Sequence, residues 1–342
     1  MVKIAINGFG RIGRLIMRAA MKRGMLGKQF DLVAINDPGD INAAAHLLKY
    51  DSVHGVLENK IEVKEGTLVV DGKKIAYSME KDPEKLPWAK LGVEVVLECT
   101  GAFTNKADAG KHLKAGAKKV IVSAPCKGDI DATLVLGVND KTYDKSRHTV
   151  VSMASCTTNC LAPMAMILNN NFKIKKGYMT TVHAYTNDQR ILDLAHKDLR
   201  RARAAALSII PTTTGAASAL GLVLPDLAGK LDGISLRVPI PDGSITDLVV
   251  ELEKEVSIED INAAFKAAAA SGPLKGILQY SEEPLVSSDI VGNPYSCIFD
   301  AKSTMVLGGK SGGKSTFVKL LGWYDNEWGF SNRMVELAMR ML

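Results

Sequence analysis

The sequence has no hydrophobic run of the length that a membrane-spanning helix requires, which is about 18 residues. Aromatic residues make up only 6% of the chain, and no aromatic RNA-binding motif accompanies its scattered Lys and Arg residues. Residues 1–6 enter a strand pattern without the charged leader and apolar core of a secretory signal. We therefore expect a cytoplasmic protein that binds no membrane, and nucleic-acid binding is only a weak alternative.

Cysteine is also scarce, and the five residues are Cys99, Cys126, Cys156, Cys160 and Cys297. An odd number scattered along a long chain argues for reduced thiols and against a disulfide framework. Cys156 and Cys160 lack the second cysteine pair or the histidine cluster that a zinc site needs, so no metal is expected.

The net charge of +6 suits anionic substrates. The chain has 342 residues, which exceeds what one hydrophobic core usually organises, so two domains are expected.

The first informative segment runs from residue 2 to residue 37. Residues 2–6 have the pattern of a buried parallel strand, and Gly-x-Gly-x-x-Gly at residues 8–13 then opens an amphipathic helix. Glycines in this setting permit a tight turn and a close approach of the backbone to a pyrophosphate at the helix N-terminus. A second strand, residues 30–36, ends in Asp37, where a carboxylate would hold an adenosine ribose. The segment predicts a dinucleotide-binding unit.

Further strands extend this unit to about residue 155. Short strands joined by an Asp-Gly turn predict an antiparallel insertion at about residues 60–80, and a helix is expected from Asp108 to Gly116. Parallel strands are predicted at residues 93–98, 119–123 and 134–138. Residues 1–155 are therefore predicted as a Rossmann-type, doubly wound α/β domain.

The later part of the chain has a different pattern. Long strands at residues 177–186, 231–240 and 244–253 indicate a mixed or antiparallel sheet, which predicts a second, α+β domain over residues 156–322. A capped helix is expected over residues 261–270, and an amphipathic helix over residues 331–342.

Cys156 lies where a strand pattern gives way to a helix pattern. The N-terminus of a helix favours an anion, so this thiol is expected to lose its proton more easily than a free thiol and to act as a nucleophile. Ser155, Thr157 and Thr158 add donors that suit an oxyanion or a phosphate. A buried structural cysteine capped by threonines is the alternative interpretation.

Residues 308–315 match the phosphate-loop expression Gly-x4-Gly-Lys-Ser letter for letter. A phosphate loop must open a helix, whereas residues 316–323 alternate and contain β-formers. We therefore predict a glycine-rich hairpin turn at this position and no NTPase activity.

A dinucleotide platform, a cysteine at a helix start and the strand histidine His183 together suggest the oxidation of an aldehyde through a covalent thioester. Three segments resemble the phosphorylating glyceraldehyde-3-phosphate dehydrogenase family. They are Ala-Ile-Asn-Gly-Phe-Gly-Arg-Ile-Gly-Arg at residues 5–14, Ala-Ser-Cys-Thr-Thr-Asn-Cys at 154–160, and Trp-Tyr-Asp-Asn-Glu at 323–327. The resemblance runs from the first strand to the last helix. It implies that residues 323–342 return to the NAD-binding domain, and it implies a homotetramer.

The resemblance also implies a reaction, in which D-glyceraldehyde 3-phosphate and inorganic phosphate give 1,3-bisphosphoglycerate and NAD is reduced. Cys156 would attack the aldehyde, and His183 would promote the thiolate and then remove the hydroxyl proton. The implied cofactor contacts are Gly8, Gly10, Arg11, Ile12, Gly13, Asp37, Lys81, Ser123 and Asn326. The implied anion sites are Thr186 with Arg237 for the substrate phosphate, and Ser155, Thr157, Arg201, Thr214 and Gly215 for the attacking phosphate.

The sequence does not decide between two cofactors, NAD and NADP, or between several related activities. Asp37 should repel the 2′-phosphate of NADP, but Ala195 stands where many NAD-preferring family members have proline, so NADP remains an alternative cofactor. Erythrose-4-phosphate dehydrogenase, a member of the same superfamily, is the alternative enzyme. A non-phosphorylating aldehyde dehydrogenase remains open as well, and so does a redox-responsive or RNA-binding protein on the same fold.

Overall fold

The computed structural model describes residues 1–308 and 313–342, which form two compact units. The first unit contains residues 1–134, 142–154 and 331–342, and the second contains residues 135–141 and 155–330. The domain boundaries predicted from the sequence, after residues 155 and 322, remain predictions. None of the helices in the described ranges has the length and hydropathy needed to cross a bilayer.

The first unit is built on a nine-stranded sheet in the order β10-β11-β9-β8-β1-β2-β7-β6-β5. Its strands and those of a separate β3-β4 hairpin are β1 (Val2–Asn7), β2 (Phe30–Asn36), β3 (Tyr50–Asp51), β4 (Gly55–Val56), β5 (Ile61–Lys64), β6 (Thr67–Val70), β7 (Lys73–Ser78), β8 (Val95–Glu98), β9 (Lys119–Val122), β10 (Ala132–Thr133) and β11 (Val150–Ser152). The seven strands from β10 to β7 in this order run parallel. This arrangement confirms the predicted parallel α/β sheet.

The predicted insertion is also observed, because β5, β6 and β7 pair antiparallel. It extends the main sheet, since β7 pairs parallel with β2. The helices of this unit are α1 (Arg11–Lys22), α2 (Ile41–Lys49), α3 (Trp88–Leu91), α4 (Lys106–Ala109) and α5 (Lys111–Lys114). The single helix predicted from Asp108 to Gly116 is therefore wrong, because α4 and α5 are separated at Gly110, a poor helix former.

The strand predicted at residues 134–138 is also wrong. Only β10, two residues long, pairs with β11 here, and the chain then turns. Two side chains accept hydrogen bonds from nearby backbone amides that a strand would use for pairing. Asn139 Oδ1 accepts from Val135 N at 2.8 Å, and Asp140 Oδ1 accepts from Gly137 N at 2.9 Å. Gly137 has φ +78°, which an extended strand cannot accommodate. The apolar residues of this segment are typical of a strand, so their pattern did not predict the turn.

Buried polar side chains hold the carboxyl edge of the parallel sheet. Asn36 Nδ2 donates to Asn7 Oδ1 at 2.7 Å, and Asn7 Nδ2 donates to Glu98 Oε2 at 2.5 Å. His112 Nε2 lies 3.0 Å from the same carboxylate oxygen, and Thr100 N donates to the other at 2.8 Å. These bonds tie the ends of β1, β2 and β8 together at the edge where such sheets bind ligands.

The second unit is built on an eight-stranded mixed sheet in the order β13-β14-β12-β15-β19-β17-β16, with β18 paired to β19. Its strands are β12 (Ile174–Ala184), β13 (Ile210–Thr213), β14 (Leu231–Val238), β15 (Ser244–Val256), β16 (Leu278–Ser281), β17 (Cys297–Asp300), β18 (Met305–Val306) and β19 (Ser315–Tyr324). The pairs β12-β14 and β16-β17 are parallel, and the other pairs are antiparallel. The mixed sheet predicted for this part of the chain is confirmed.

The remaining helices are α6 (Cys156–Phe172), α7 (Ala216–Val223), α8 (Ile258–Ala270), α9 (Ser287–Ile290) and α10 (Trp328–Ala338). The predicted cap of α8 is confirmed, because Ser257 Oγ accepts from Asp260 N and the Asp260 carboxylate accepts from Ser257 N. Most of α6 is buried, as expected for a helix in the centre of a core.

The phosphate-loop match is followed by a strand. β19 begins at Ser315 and pairs with β18, so no helix opens after the lysine, and the prediction against an NTPase is supported. The predicted hairpin turn itself falls on residues 309–312, outside the described residues.

Substitution of Gly8, with Gly24 as the control, tests how closely the backbone packs at the glycine turn. Both have positive φ, but a Cβ at Gly8 would lie 2.6 Å from Thr100 N, whereas nothing lies within 4 Å of one at Gly24. We expect Gly8→Ala to lower the free energy of unfolding by roughly 1–3 kcal/mol more than the control Gly24→Ala, because only Gly8 adds a backbone clash. Chemical denaturation measures both, and equal losses would contradict the close-approach argument.

Candidate active site and cofactor site

The chain enters α6 through a strained turn. After β11, Ala154 adopts φ +55°, which is uncommon for a residue with a side chain. Ser155 then caps the helix, and its Oγ accepts from Thr158 N at 3.0 Å. Cys156 is the first residue of α6, so the sequence placed the thiol correctly at a helix start.

His183 lies near the end of β12 and faces the thiol. Its Nε2 lies 3.4 Å from Cys156 Sγ, and its Nδ1 lies 2.7 Å from the carbonyl oxygen of Ala184. The carbonyl can only accept, so this shorter contact favours the tautomer with the proton on Nδ1 and the lone pair of Nε2 facing the sulfur, although Arg237 Nη1, a donor, also lies 3.1 Å from Nδ1. In this tautomer His183 is ready to take the thiol proton.

Burial determines the charge of this pair. Removal from water raises the pKa of the Cys156 thiol to about 11, although Arg237 and backbone amides of the helix start oppose the shift. Burial, followed by the charge of Arg237, lowers the pKa of His183 to about 3. Burial therefore favours the neutral form of each group, whereas Arg237 and the amides at the helix start favour the thiolate. The expectation that the helix N-terminus makes this thiol more acidic than a free one stays a prediction.

Arg237 and Thr186 lie beside His183, as the first predicted anion site requires. The register of β12 and β14 puts His183 opposite Arg237. Arg237 Nη1 lies 3.1 Å from His183 Nδ1 and donates to Ala184 O at 3.2 Å and to Thr186 Oγ1 at 3.1 Å. A guanidinium and a hydroxyl are the groups that bind a phosphate ester well.

The second predicted anion set is only partly aimed outward. The Thr157 hydroxyl turns inward and lies 2.8 Å from the Tyr324 hydroxyl. Arg201 is paired with Asp188 and donates to Thr212 Oγ1 at 2.8 Å. Thr214 Oγ1 accepts from Ala216 N at 3.2 Å, next to Gly215 at the exposed N-cap of α7. Ser155 contributes mainly the cap of α6. The N-termini of α6 and α7 are therefore the stronger anion-binding elements of this set, and Arg201 would have to exchange Asp188 for an anion.

Eight of the nine predicted cofactor residues lie in the first unit. Gly8 and Gly10 lie in the β1-α1 turn, and Arg11, Ile12 and Gly13 form the first turn of α1. Asp37, Lys81 and Ser123 follow the ends of β2, β7 and β9. Gly8 and Gly13 are enclosed by backbone, whereas a Cβ at Gly10 would meet nothing within 4 Å and would project into open space at the start of α1. That open cradle at a helix N-terminus fits a dinucleotide pyrophosphate.

The Asp37 carboxylate is fixed beside this cradle. Its Oδ2 accepts from Phe9 N at 2.7 Å, and its Oδ1 accepts from Gly39 N at 2.8 Å. Arg11 donates to both oxygens of Asp51, at 3.1 and 3.3 Å, so its charge is already paired. Asn326, in the second unit, is buried, and its Oδ1 accepts from Ser244 Oγ at 2.7 Å.

Two residues near the catalytic pair received no role from the sequence. Ser244 Oγ accepts from Ala184 N at 3.1 Å, and the ring of Tyr324 packs edge-on against His183 at 5.9 Å between centroids. The alternation of β19 indicates only that Tyr324 shares a face with other core residues of that strand. No local signal identifies its neighbours.

Comparisons with known proteins identify both units. Residues 2–106 match the family model "Glyceraldehyde 3-phosphate dehydrogenase, NAD binding domain", and residues 155–326 match the corresponding C-terminal domain. The chain is 60% identical over 338 residues to a glyceraldehyde-3-phosphate dehydrogenase of Streptomyces coelicolor, covering 99% of this chain and 98% of that protein. It is 60% identical over 337 residues to the enzyme of Geobacillus stearothermophilus, covering 98% and 97%.

The contact between Cys156 and His183 leads to a testable expectation about the reactivity of Cys156. At neutral pH we expect iodoacetamide to label Cys156 first and to abolish turnover, because burial also raises the pKa of Cys99, Cys126 and Cys297 and only Cys156 faces His183. In His183→Asn the thiolate must form alone, so labelling should become fast only as the pH rises toward about 11.

Peptide mapping and the pH dependence of the labelling rate measure both effects, with Cys156→Ser as the control. Faster labelling of another cysteine with activity retained would show that Cys156 is not the nucleophile.

Proposed function

The chain belongs to the glyceraldehyde-3-phosphate dehydrogenase family, and from that premise we propose how its residues oxidise and phosphorylate D-glyceraldehyde 3-phosphate. The protein is an NAD-dependent phosphorylating aldehyde dehydrogenase, and its product is 1,3-bisphosphoglycerate. The observation that carries the residue assignment is the 3.4 Å contact between Cys156 Sγ and His183 Nε2 at the start of α6.

The first step forms a covalent bond to the substrate. The thiol proton moves from Sγ to Nε2, and the thiolate attacks the aldehyde carbon to give a hemithioacetal alkoxide, which takes the proton back from the imidazolium. Charging His183 alone would place a buried positive charge beside Arg237, whereas this transfer creates the thiolate and the imidazolium together and in contact. Arg237 and Thr186 would hold the C3 phosphate and thereby orient the aldehyde toward Sγ.

The second step makes the thioester and the third step cleaves it. His183 accepts the hydroxyl proton of the hemithioacetal at Nε2 as the carbonyl forms. Bound NAD supplies the acceptor for the hydride that leaves the same carbon. Inorganic phosphate, held by the N-termini of α6 and α7 and by Arg201, then attacks the thioester carbon and releases the Cys156 thiolate.

The residues around the glycine turn fit NAD. The start of α1 would take the pyrophosphate, and the Asp37 carboxylate would accept hydrogen bonds from the adenosine ribose. A 2′-phosphate at that position would bring two like charges together, which opposes NADP.

We also propose that the enzyme is a cytoplasmic homotetramer. Large apolar side chains between residues 191 and 209 are exposed, among them Ile191 (86%), Leu199 (81%) and Leu207 (80%). Their burial against further copies of the same chain would remove this apolar surface from water.

A steady-state assay tests the proposed function directly. We expect NAD reduction with glyceraldehyde 3-phosphate to require inorganic phosphate, since phosphate releases the thioester, and erythrose 4-phosphate to be the poorer substrate. His183→Asn should lower kcat by roughly 10²–10⁴, the usual effect of losing a positioned base. Turnover that does not depend on phosphate would indicate a non-phosphorylating enzyme.

Cofactor choice should depend on Asp37. We expect NAD to exceed NADP by at least about tenfold in kcat/KM, because a like-charge pair a few ångströms apart costs ~1–4 kcal/mol at protein surfaces. Asp37→Ser should narrow this ratio chiefly by improving NADP, and Asp40→Ser, which alters the cap of α2, serves as the control. An unchanged ratio in Asp37→Ser would assign selectivity to other residues, such as those around Ala195.

A further inference from the structure

Tyr324 contacts the elements that carry both catalytic groups. Its side chain is fully buried at the end of β19, and its hydroxyl lies 2.8 Å from Thr157 Oγ1 and 2.8 Å from Thr181 Oγ1. Thr157 follows Cys156 on α6, and Thr181 precedes His183 by two positions on β12. One phenol therefore ties the first turn of the nucleophile's helix to the strand of the base.

The geometry of the strand explains why this tie affects His183. Residues two apart on a strand point to the same face, so Thr181 and His183 both face α6. The Tyr324 ring meets the imidazole edge-on, at 5.9 Å and an interplanar angle of 74°. The ring contact and the Ala184 carbonyl together restrict the imidazole, and Nε2 stays aimed at the sulfur.

The three hydroxyl groups form two hydrogen bonds with Tyr324 in the middle. Thr157 and Thr181 are both buried, and the phenol oxygen can donate to one and accept from the other. Burial raises the pKa of the Tyr324 phenol well above its usual range, so the bridge keeps its proton at any pH at which the enzyme works. Loss of this hydroxyl would leave two threonine hydroxyls that have to find new partners.

We infer that Tyr324 is a positioning residue for aldehyde oxidation, and that its hydroxyl bridge sets the separation between Cys156 Sγ and His183 Nε2. The inference rests on the proposed roles of Cys156 and His183. The 3.4 Å contact is an ordinary hydrogen-bond distance for sulfur, and a longer one would disfavour proton transfer. A misplacement of about 1 Å can cost on the order of 10²-fold in rate.

Tyr324→Phe is the first test, because it removes the hydroxyl and keeps the ring. We expect kcat and the rate of Cys156 alkylation at neutral pH to fall together by about tenfold, with the alkylation profile displaced to higher pH. The KM for NAD should stay within about twofold, since the change affects the pair and leaves dinucleotide binding intact. Tyr143→Phe is the matched control, because it removes a phenol hydroxyl that donates to Met341 O at 2.8 Å in the first unit.

Thr181→Val is the second test and removes only the bond on the β12 side. It should lower the same two rates in the same direction, and it decides the question if Tyr324→Phe does not fold. Wild-type kcat and alkylation rates in the folded variants, with only the melting temperature changed, would overturn the inference. Retention of activity after alkylation of Cys156 in the unaltered enzyme would contradict the proposed function instead, so the two failures can be told apart.

Discussion

The proposed reaction depends on moving one proton across the contact between Cys156 and His183. Burial opposes the charged form of both the Cys156 thiol and the His183 imidazole, and Sγ lies 3.4 Å from Nε2. An imidazolium formed alone would be a buried charge beside Arg237, whereas proton transfer across the contact makes an ion pair. The positive charge of Arg237 favours the thiolate and disfavours the imidazolium. Arg237 and the contact with His183 are therefore the two features of the structure that assist the formation of a thiolate at Cys156.

The mixed sheet of the second unit positions His183 for its contact with Cys156. β12 lies between β14 and β15, so its end presents His183 beside Arg237 on one side and near Ser244 on the other. α6 begins at the thiol because Ala154 turns the chain sharply and Ser155 caps the helix. The catalytic groups therefore belong to rigid elements, which holds them to the narrow range of positions that chemistry requires.

The first unit contains most of the candidate cofactor residues and is built on a mainly parallel sheet. Seven parallel strands bring the ends of β1, β2, β7 and β9 to one edge, where the glycine turn leaves open space at the start of α1. Buried amide and carboxylate groups beneath that edge bond to one another and fix the strand ends. The Asp37 carboxylate is fixed by backbone amides before any cofactor is bound. A preformed site of this kind limits the ordering cost of binding.

The sequence by itself determined the features that depend on near neighbours in the chain. The strand-glycine-helix order of residues 2–37, the cap of α8 and the start of a helix at Cys156 were all predicted correctly, because periodicity and capping are local. The turn at residues 135–139 was missed because Asn139 and Asp140 competed with a strand that the apolar pattern favoured.

Only the tertiary structure decided the surroundings of Cys156 and the neighbours of Tyr324. Helix position suggested an acidic thiol, whereas desolvation, which depends on everything packed around Cys156, raises its pKa. Tyr324 meets Thr157 across 167 positions of sequence, a contact that no local pattern encodes. Local preferences act along the chain, whereas burial and contact between distant residues exist only once the sheet and the helix have packed.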